Sequence, residues 1–241
     1  MTTPSVPWTA RVLTLFPECF PGSLGVSLAG QALKKGLWRL EITNIRDFAT
    51  DRHRTVDGPP AGGGPGMVMR ADVLGACLEA THPTDAPYAP IHLSPRGHPL
   101  TQDRIQQIAN QSGITLICSR FEGVDERFLK SYDTEEISLG DFVLAGGEVA
   151  TLALIEAVTR LLPEVIGNHT SLEEESFTGG LLEYPHYTRP SFWRGQKIPA
   201  VLTSGDHSAV RRWRRDCAET LTRERRPDLL KKYHGDNSKA P

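Results

Sequence analysis

Apolar and polar positions alternate in short, well-punctuated blocks over the first two-thirds of the chain, and the last third turns polar and basic. "RVLTLF" (11–16) is an apolar, β-branched run that stops at Pro17 and predicts a strand. "VSLAGQALKKG" (26–36) has helical spacing and ends at Gly36, whereas "LWRLEITNI" (37–45) alternates as a strand does. "ADVLGACLEAT" (71–81) predicts a helix and "YAPIHLSP" (88–95) a strand ending in Pro-Arg-Gly. "TQDRIQQIANQSG" (101–113) predicts a polar-faced helix capped by Thr101, and "ITLICSRFEG" (114–123) a buried strand. "VDERFLKSY" (124–132) predicts a short helix, and "EEISLGDFVLAGG" (135–147) is strand-like with an abrupt glycine end. "EVATLALIEAVTRLLP" (148–163) is a nearly all-apolar helix stopped by Pro163. Strands alternating with helices predict an α/β domain on a parallel sheet, ending near residue 165.

Beyond it, "IGNHTSLEEESFTGG" (166–180) is polar and glycine-flanked and predicts a flexible interdomain linker. "LLEYPHYTRP" is stiffened by prolines, and "DHSAVRRWRRDCAETLTRERRPDLLKK" (206–232) is a basic amphipathic helical region. The expected organisation is an α/β body over 1–165, the linker over 166–180 and a small basic helical domain over 181–241, without internal repeats.

Charge sharpens this division. The net charge of -2 hides a balance of -9 over residues 1–185 and +7 over 186–241. A basic segment on an acidic body points to a polyanionic partner, and a solvated helix face is the plainer alternative. No apolar run approaches the ~20 residues of a membrane span. The start "MTTPSVPWTA" lacks a basic region followed by an apolar core, so no secretory signal is expected. Cys19, Cys77, Cys118 and Cys217 are scattered without a CxxC pair, which fits reduced thiols in a cytoplasmic protein.

Several chemistries are missing. There is no G-x-G-x-x-G between strand and helix, no G-x-x-x-x-G-K-[ST] and no G-x-S-x-G elbow. The eight histidines show no zinc spacing. What remains is three glycine-bearing ends after apolar strands: "HLSPRG" (92–97), "CSRFEG" (118–123) and "SLGDFVLAGG" (138–147). In an open parallel sheet ligands bind at the carboxyl ends of strands, and glycine there lets a flat ring approach the main chain. Each glycine alone reads as a strand-to-helix turn. Three together, with Phe121 and Glu122 between them, point to a small-molecule cleft.

The segments "LFPECF", "RDFATDRHRTVDGPPAGGGPGM", "IHLSPRG", "RFEGVDER", "ISLGDFVLAGGE", "LLEYPHYTRP" and "SGDHSAVRRWRR" resemble, in order, the TrmD family of bacterial tRNA (guanine-N1)-methyltransferases. The resemblance runs from about Arg11 to about Leu230. It implies a SPOUT-type α/β fold, whose parallel sheet carries a deep trefoil knot made by the three loops, plus a small C-terminal helical domain. It implies a homodimer with each active site shared between chains, and tRNA as partner. The implied reaction moves a methyl group from S-adenosylmethionine to N-1 of the guanosine immediately 3′ of the anticodon, with magnesium needed for activity. The knot comes from the resemblance alone, since chains rarely thread.

Carried over residue by residue, the cofactor contacts fall on Leu93, Ser94, Pro95 and Gly97, on Ser119, Phe121, Glu122 and Gly123, and on Leu139, Gly140, Asp141, Phe142, Val143, Leu144, Gly146 and Gly147. Ser119 stands where the family often has glycine. Glu122 and Glu183 would hold the cofactor's ammonium. Guanine N-1 carries a proton that a base must remove, while negative charge builds on the 6-oxo group and calls for a cation. The resemblance assigns these roles to Glu175, in "EEESF" where the family's motif ends Asp-Ser-Phe, and to Arg160. Glu is one methylene longer than Asp, so neighbouring Glu174 or Glu173 is an alternative base. By spacing alone, Glu156 and Arg160 are an ordinary i,i+4 helix pair and "LEEESF" a solvated linker.

With few large apolar residues (Leu172, Phe177), 167–178 is expected to be ordered by tRNA. Arg211, Arg212, Arg214 and Arg215 would grip backbone phosphate. In "DRHRTVDGPPAGGGPGMVM" (51–69), Arg52, His53 and Arg54 would contact RNA while Asp51 and Asp57 hold the loop's shape. Gly62, Gly63, Gly64 and Gly66 would bring the main chain close to the target nucleotide or cofactor. No obvious metal cage is visible, so any magnesium would bind mainly through water or RNA. A SPOUT enzyme for another RNA nucleotide, a non-catalytic tRNA binder and a dinucleotide-dependent enzyme stay open as alternatives.

Overall fold

The computed structural model describes residues 7–167 and 174–237. Contacts divide the chain into two compact units, Met1–Gly167 and Asn168–Pro241.

The first unit is built on five parallel strands, in the sheet order Trp38–Asn44, Trp8–Thr14, Gly113–Ile117, Ile91–Pro99 and Glu135–Ser138. In chain order its elements are β1 (Trp8–Thr14), α1 (Ser27–Lys34), β2 (Trp38–Asn44), the short β3 (Asp57–Gly58) and β4 (Val68–Met69), and α2 (Ala71–Thr81). There follow β5 (Ile91–Pro99), α3 (Gln102–Ala109), β6 (Gly113–Ile117), α4 (Glu126–Ser131), β7 (Glu135–Ser138) and α5 (Glu148–Thr159). The connection from β6 to β7 passes over β5, because β5 lies between them in the sheet. The side chain of Thr101 caps α3 by accepting from the Arg104 amide, as its position predicts.

Side chains alternate across the sheet, and each face buries its own apolar cluster. Ala10, Val12, Ile114 and Leu116 meet Ala32 of α1, Ile105 and Ile108 of α3, and Leu154, Ile155 and Val158 of α5. On the opposite face Leu13 and Ile117 meet Val73, Leu74, Cys77 and Leu78 of α2, with Phe128 and Leu129 of α4. A strand covered on both faces carries a continuous apolar run, which is why β6 reads so clearly.

Two strands end earlier than their sequences suggest. β6 stops at Ile117 and β7 at Ser138, so 118–123 and 139–147 are loops. Phe142, Val143 and Leu144 look like strand residues but are 55 %, 82 % and 39 % exposed. Their apolar character does not serve the core.

The second unit holds a two-residue hairpin, β8 (Phe192–Trp193) and β9 (Gln196–Lys197), followed by α6 (His207–Arg225) and α7 (Pro227–Asn237). The hairpin turn places Arg194 and Gly195 both at positive φ, the twist that suits so short a loop. Asp206 caps α6 by accepting from the amides of Ser208 and Ala209. Pro227 lacks an amide hydrogen and starts α7, dividing the basic helical region in two. No described helix is long and apolar enough to cross a membrane.

Candidate cofactor cleft

The first of the three loops arises inside β5. Leu93 and His98 both align with Ile137 of β7, so residues 94–97 leave the ladder and return to it. Gly97 permits this return: a Cβ there would lie 2.4 Å from the Ile137 amide nitrogen and 2.5 Å from the Glu136 carbonyl carbon. Gly147 works the same way in the third loop, where a Cβ would come within 2.8 Å of Cys118 Cα. At both positions the chain itself makes the close approach that glycine allows.

The three loops converge on a cleft of about 290 Å3 at the carboxyl ends of β5, β6 and β7. Leu93, Ser94 and Pro95 line it from the first loop, and Ser119, Phe121, Glu122 and Gly123 from the second. Leu139, Gly140, Phe142, Val143, Leu144, Gly146 and Gly147 line it from the third. Gly97 lies behind the wall against β7, Asp141 is exposed outside the lining, and Glu183 belongs to the second unit. His92, Arg96 and Arg120 also line the cleft and were not among the sequence candidates. Their signal was adjacency to those candidates, and nothing in local spacing separates them from ordinary strand and loop residues.

Arg120 ties the second loop to the rest of the unit. Its guanidinium lies 4.3 Å from the Phe16 ring centroid and 2.9 Å from Glu148 Oε2. Glu148 is 2 % exposed at the start of α5 and accepts from the Thr14 hydroxyl at 2.8 Å. One buried carboxylate thus joins β1, the second loop and α5. Removing one partner of such a pair strands the other. Glu148→Ala is therefore expected to lower the unfolding free energy by about 3 kcal/mol, a loss moderated because Arg120 reaches solvent. Glu148→Gln, which keeps an acceptor for Thr14, should lose less; chemical denaturation of both variants checks this.

The glycine-rich stretch is fastened to the same loop. The Glu122 amide donates to Met67 O and the Met69 amide to Gly123 O, each at 2.9 Å. A Cβ on Gly66 would meet Glu122 Oε1 at 2.4 Å, so this glycine makes room for the carboxylate. Gly62 and Gly63 have open space about them and, like Gly64 and Gly66, positive φ. At its start Asp51 accepts from the amides of His53 and Thr55 and from the Thr55 hydroxyl, and it pairs with Arg70 at 3.4 Å. These bonds hold the Asp51 carboxyl below its ordinary range, the Thr55 hydroxyl first among them. Asp57 contributes through its backbone, paired with Met69. Arg52, His53 and Arg54 are exposed, with Arg54 3.3 Å from Asp47.

Cys77 and Cys118 are not set up as nucleophiles. Burial pushes Cys77 up to about 12 and raises Cys118 further, and all four cysteines are free. Among the described residues no group of three or more His, Cys, Asp or Glu is arranged to hold a metal ion.

Arg160 forms the C-cap of α5 in the first unit and is half-buried. In the second unit Glu175 is half-buried in the turn over 174–180, where its carbonyl accepts from the Thr178 amide at 3.3 Å. Leu172 and Glu173, with the rest of 168–173 in the expected linker, lie outside the described residues. Glu174 accepts from the Tyr184 hydroxyl at 2.5 Å and pairs with Arg214 at 3.2 Å. Arg214 also lies 4.7 Å from the Tyr184 ring centroid, so its charge is engaged within the unit, whereas Arg211, Arg212 and Arg215 are exposed on α6. Glu183 lies 2.9 Å from His186 Nε2.

A parallel α/β sheet with a loop-built cleft at its carboxyl edge, followed by a unit carrying basic helices, defines a class of ligand-binding α/β proteins. Within that class, the chain belongs to the family described as tRNA (Guanine-1)-methyltransferase TrmD, whose profile matches residues 9–232. It is similar to curated proteins named tRNA (guanine-N(1)-)-methyltransferase. The one from Mesorhizobium japonicum is 59 % identical over 221 residues, covering 92 % of this chain and 95 % of the relative. That from Rhizobium etli is 54 % identical over 229 residues, covering 95 % and 98 %. That from Rhodopseudomonas palustris is 55 % identical over 241 residues, covering 100 % and 96 %.

Proposed function

We propose that the chain methylates N-1 of the guanosine immediately 3′ of the tRNA anticodon, with S-adenosylmethionine as donor held in the cleft of the three loops. The observation that carries this reading is the convergence of those loops on one cleft, in a chain whose family spans nearly its whole length. The lining suits the donor: Leu93, Leu139, Val143 and Leu144 offer an apolar slot, main-chain groups offer hydrogen bonds, and Glu122 offers a carboxylate for an ammonium. Bound there, the donor supplies an electrophilic methyl group.

The chain's own groups would do the rest. Glu175 takes the N-1 proton, and Arg160 meets the charge that develops on the 6-oxo group. Glu183 joins Glu122 at the ammonium. The cleft walls fix the in-line approach on which such transfers depend. We read 1–165 as the catalytic SPOUT domain, 166–180 as the interdomain linker, of which 167–178 is ordered by tRNA, and 181–241 as the helical tRNA-binding domain. The passage of the β6–β7 connection over β5 supports a trefoil knot at the cleft. Exposed Arg52, His53, Arg54, Arg211, Arg212 and Arg215, with Arg214 beside them in sequence, would contact RNA. We place the enzyme in the cytoplasm as a homodimer; Val26, Leu28 and Val149, all more than half exposed, support a partner surface. No step is assigned to magnesium.

Incubation with S-adenosylmethionine and tRNA transcripts bearing guanosine or adenosine 3′ of the anticodon tests the reading. Nucleoside mass analysis should find 1-methylguanosine from the first transcript alone. A product from both would mark an enzyme for another nucleotide, and none from either a tRNA binder.

A further inference from the structure

His92 links two walls of the cleft. It is 3 % exposed at the end of the regular part of β5. Its Nδ1 lies 3.2 Å from Glu136 Oε1 on β7, and its Nε2 lies 2.8 Å from Ser119 Oγ after β6. Arg96 Nη2 donates to both oxygens of Glu136, at 3.2 and 3.1 Å, and to Glu126 Oε2 of α4 at 3.1 Å. A carboxylate only accepts, so the ring proton sits on Nδ1 and the neutral ring leaves Nε2 as an acceptor. The Ser119 hydroxyl must therefore donate to Nε2. With its one hydrogen committed, Ser119 Oγ offers only lone pairs to the cleft that it lines.

We propose that Glu136 and His92 are a positioning pair that fixes the Ser119 hydroxyl as a hydrogen-bond acceptor in the cleft, so that the site selects an N–H or O–H group of its ligand at that point. The inference rests on the reading of the cleft as the methyl-donor site, and it names a ribose hydroxyl or an amino group as the selected partner. Burial holds His92 below its ordinary value, with Glu136 opposing and Arg96 assisting, so the ring is neutral near neutral pH. The groups around it are Glu136 from β7, Ser119 after β6 and Arg96 from its own strand's excursion, with Glu126 of α4 acting only through Arg96. Protonation puts a hydrogen on Nε2, which then donates to Ser119 Oγ. The serine hydrogen turns into the cleft, and an acceptor becomes a donor.

Calorimetric binding of S-adenosylhomocysteine to the full chain tests the pair. Near neutral pH, Ser119→Ala and His92→Phe should each weaken binding about 3- to 10-fold, the loss expected of one hydrogen bond. The double variant should bind no worse than either single one, because His92 acts through Ser119. His92→Gln, whose amide oxygen can accept from Ser119, should recover part of the loss; if His92→Phe fails to fold, this variant and Ser119→Ala carry the test. As the pH falls through the His92 transition, which burial places below the ordinary imidazole value, the wild type should lose more affinity than Ser119→Ala, the ligand's own titration being common to both. Additive losses in the double variant, or a Ser119→Ala affinity equal to wild type, would overturn the pair while leaving the cleft assignment standing. A wild-type chain that does not bind S-adenosylhomocysteine would overturn the cleft assignment itself.

Discussion

Glu175→Gln lowers kcat for methyl transfer by about 10²- to 10⁴-fold and leaves S-adenosylhomocysteine affinity within about twofold, the signature of a lost general base. The amide matches the carboxylate in size and cannot take a proton. Among the described acidic neighbours, Glu174 is already engaged by the Tyr184 hydroxyl and Arg214 within the second unit. Glu174→Gln should therefore retain most of the turnover. Single-turnover assays on both variants check the assignment: activity surviving in Glu175→Gln would move the base elsewhere. The pair also tests whether a side chain one methylene longer than the family's usual aspartate does the same work.

Gly97→Ala is the second large effect expected, and it acts through the fold. The added methyl would fall 2.4 Å from one backbone atom of β7 and 2.5 Å from two others, none of which can rotate away. The excursion over 94–97 must lift off β7, moving Leu93, Ser94 and Pro95 in the cleft wall. A loss of about 3 kcal/mol of stability is expected, at the upper end of what overpacking does, with at least a tenfold loss of S-adenosylhomocysteine affinity. Gly58→Ala is the control: no atom lies within 4 Å of its added methyl, so stability should stay within about 0.5 kcal/mol. Denaturation curves and calorimetry on the two variants separate a packing glycine from an incidental one.

The alternation of β1, β6 and the helices between strands was legible because burial imposes a period on one chain segment at a time. Thr101 as a cap and Gly36 as a stop were legible for the same local reason. The excursion inside β5 was not, since a register shift against β7 is a relation between segments more than thirty residues apart. Phe142, Val143 and Leu144 misled the strand assignment because a cleft wall and a core select the same residue types. The three loops were found from their glycines and their places after strands, and the chain-long resemblance then named individual residues. Glu148, buried with Thr14 and Arg120, and His92, joined to Ser119, escaped both routes. Their roles come from contacts that only the folded chain brings together.

On the proposed reading, 93–97, 119–123 and 139–147 together hold the methyl donor. Amide hydrogen exchange with and without saturating S-adenosylhomocysteine tests it most directly. Slowed exchange is expected in all three segments, with little change over Trp8–Thr14 and Ala71–Thr81. Ligand binding that leaves the three segments unprotected, or protects a different set, would contradict it.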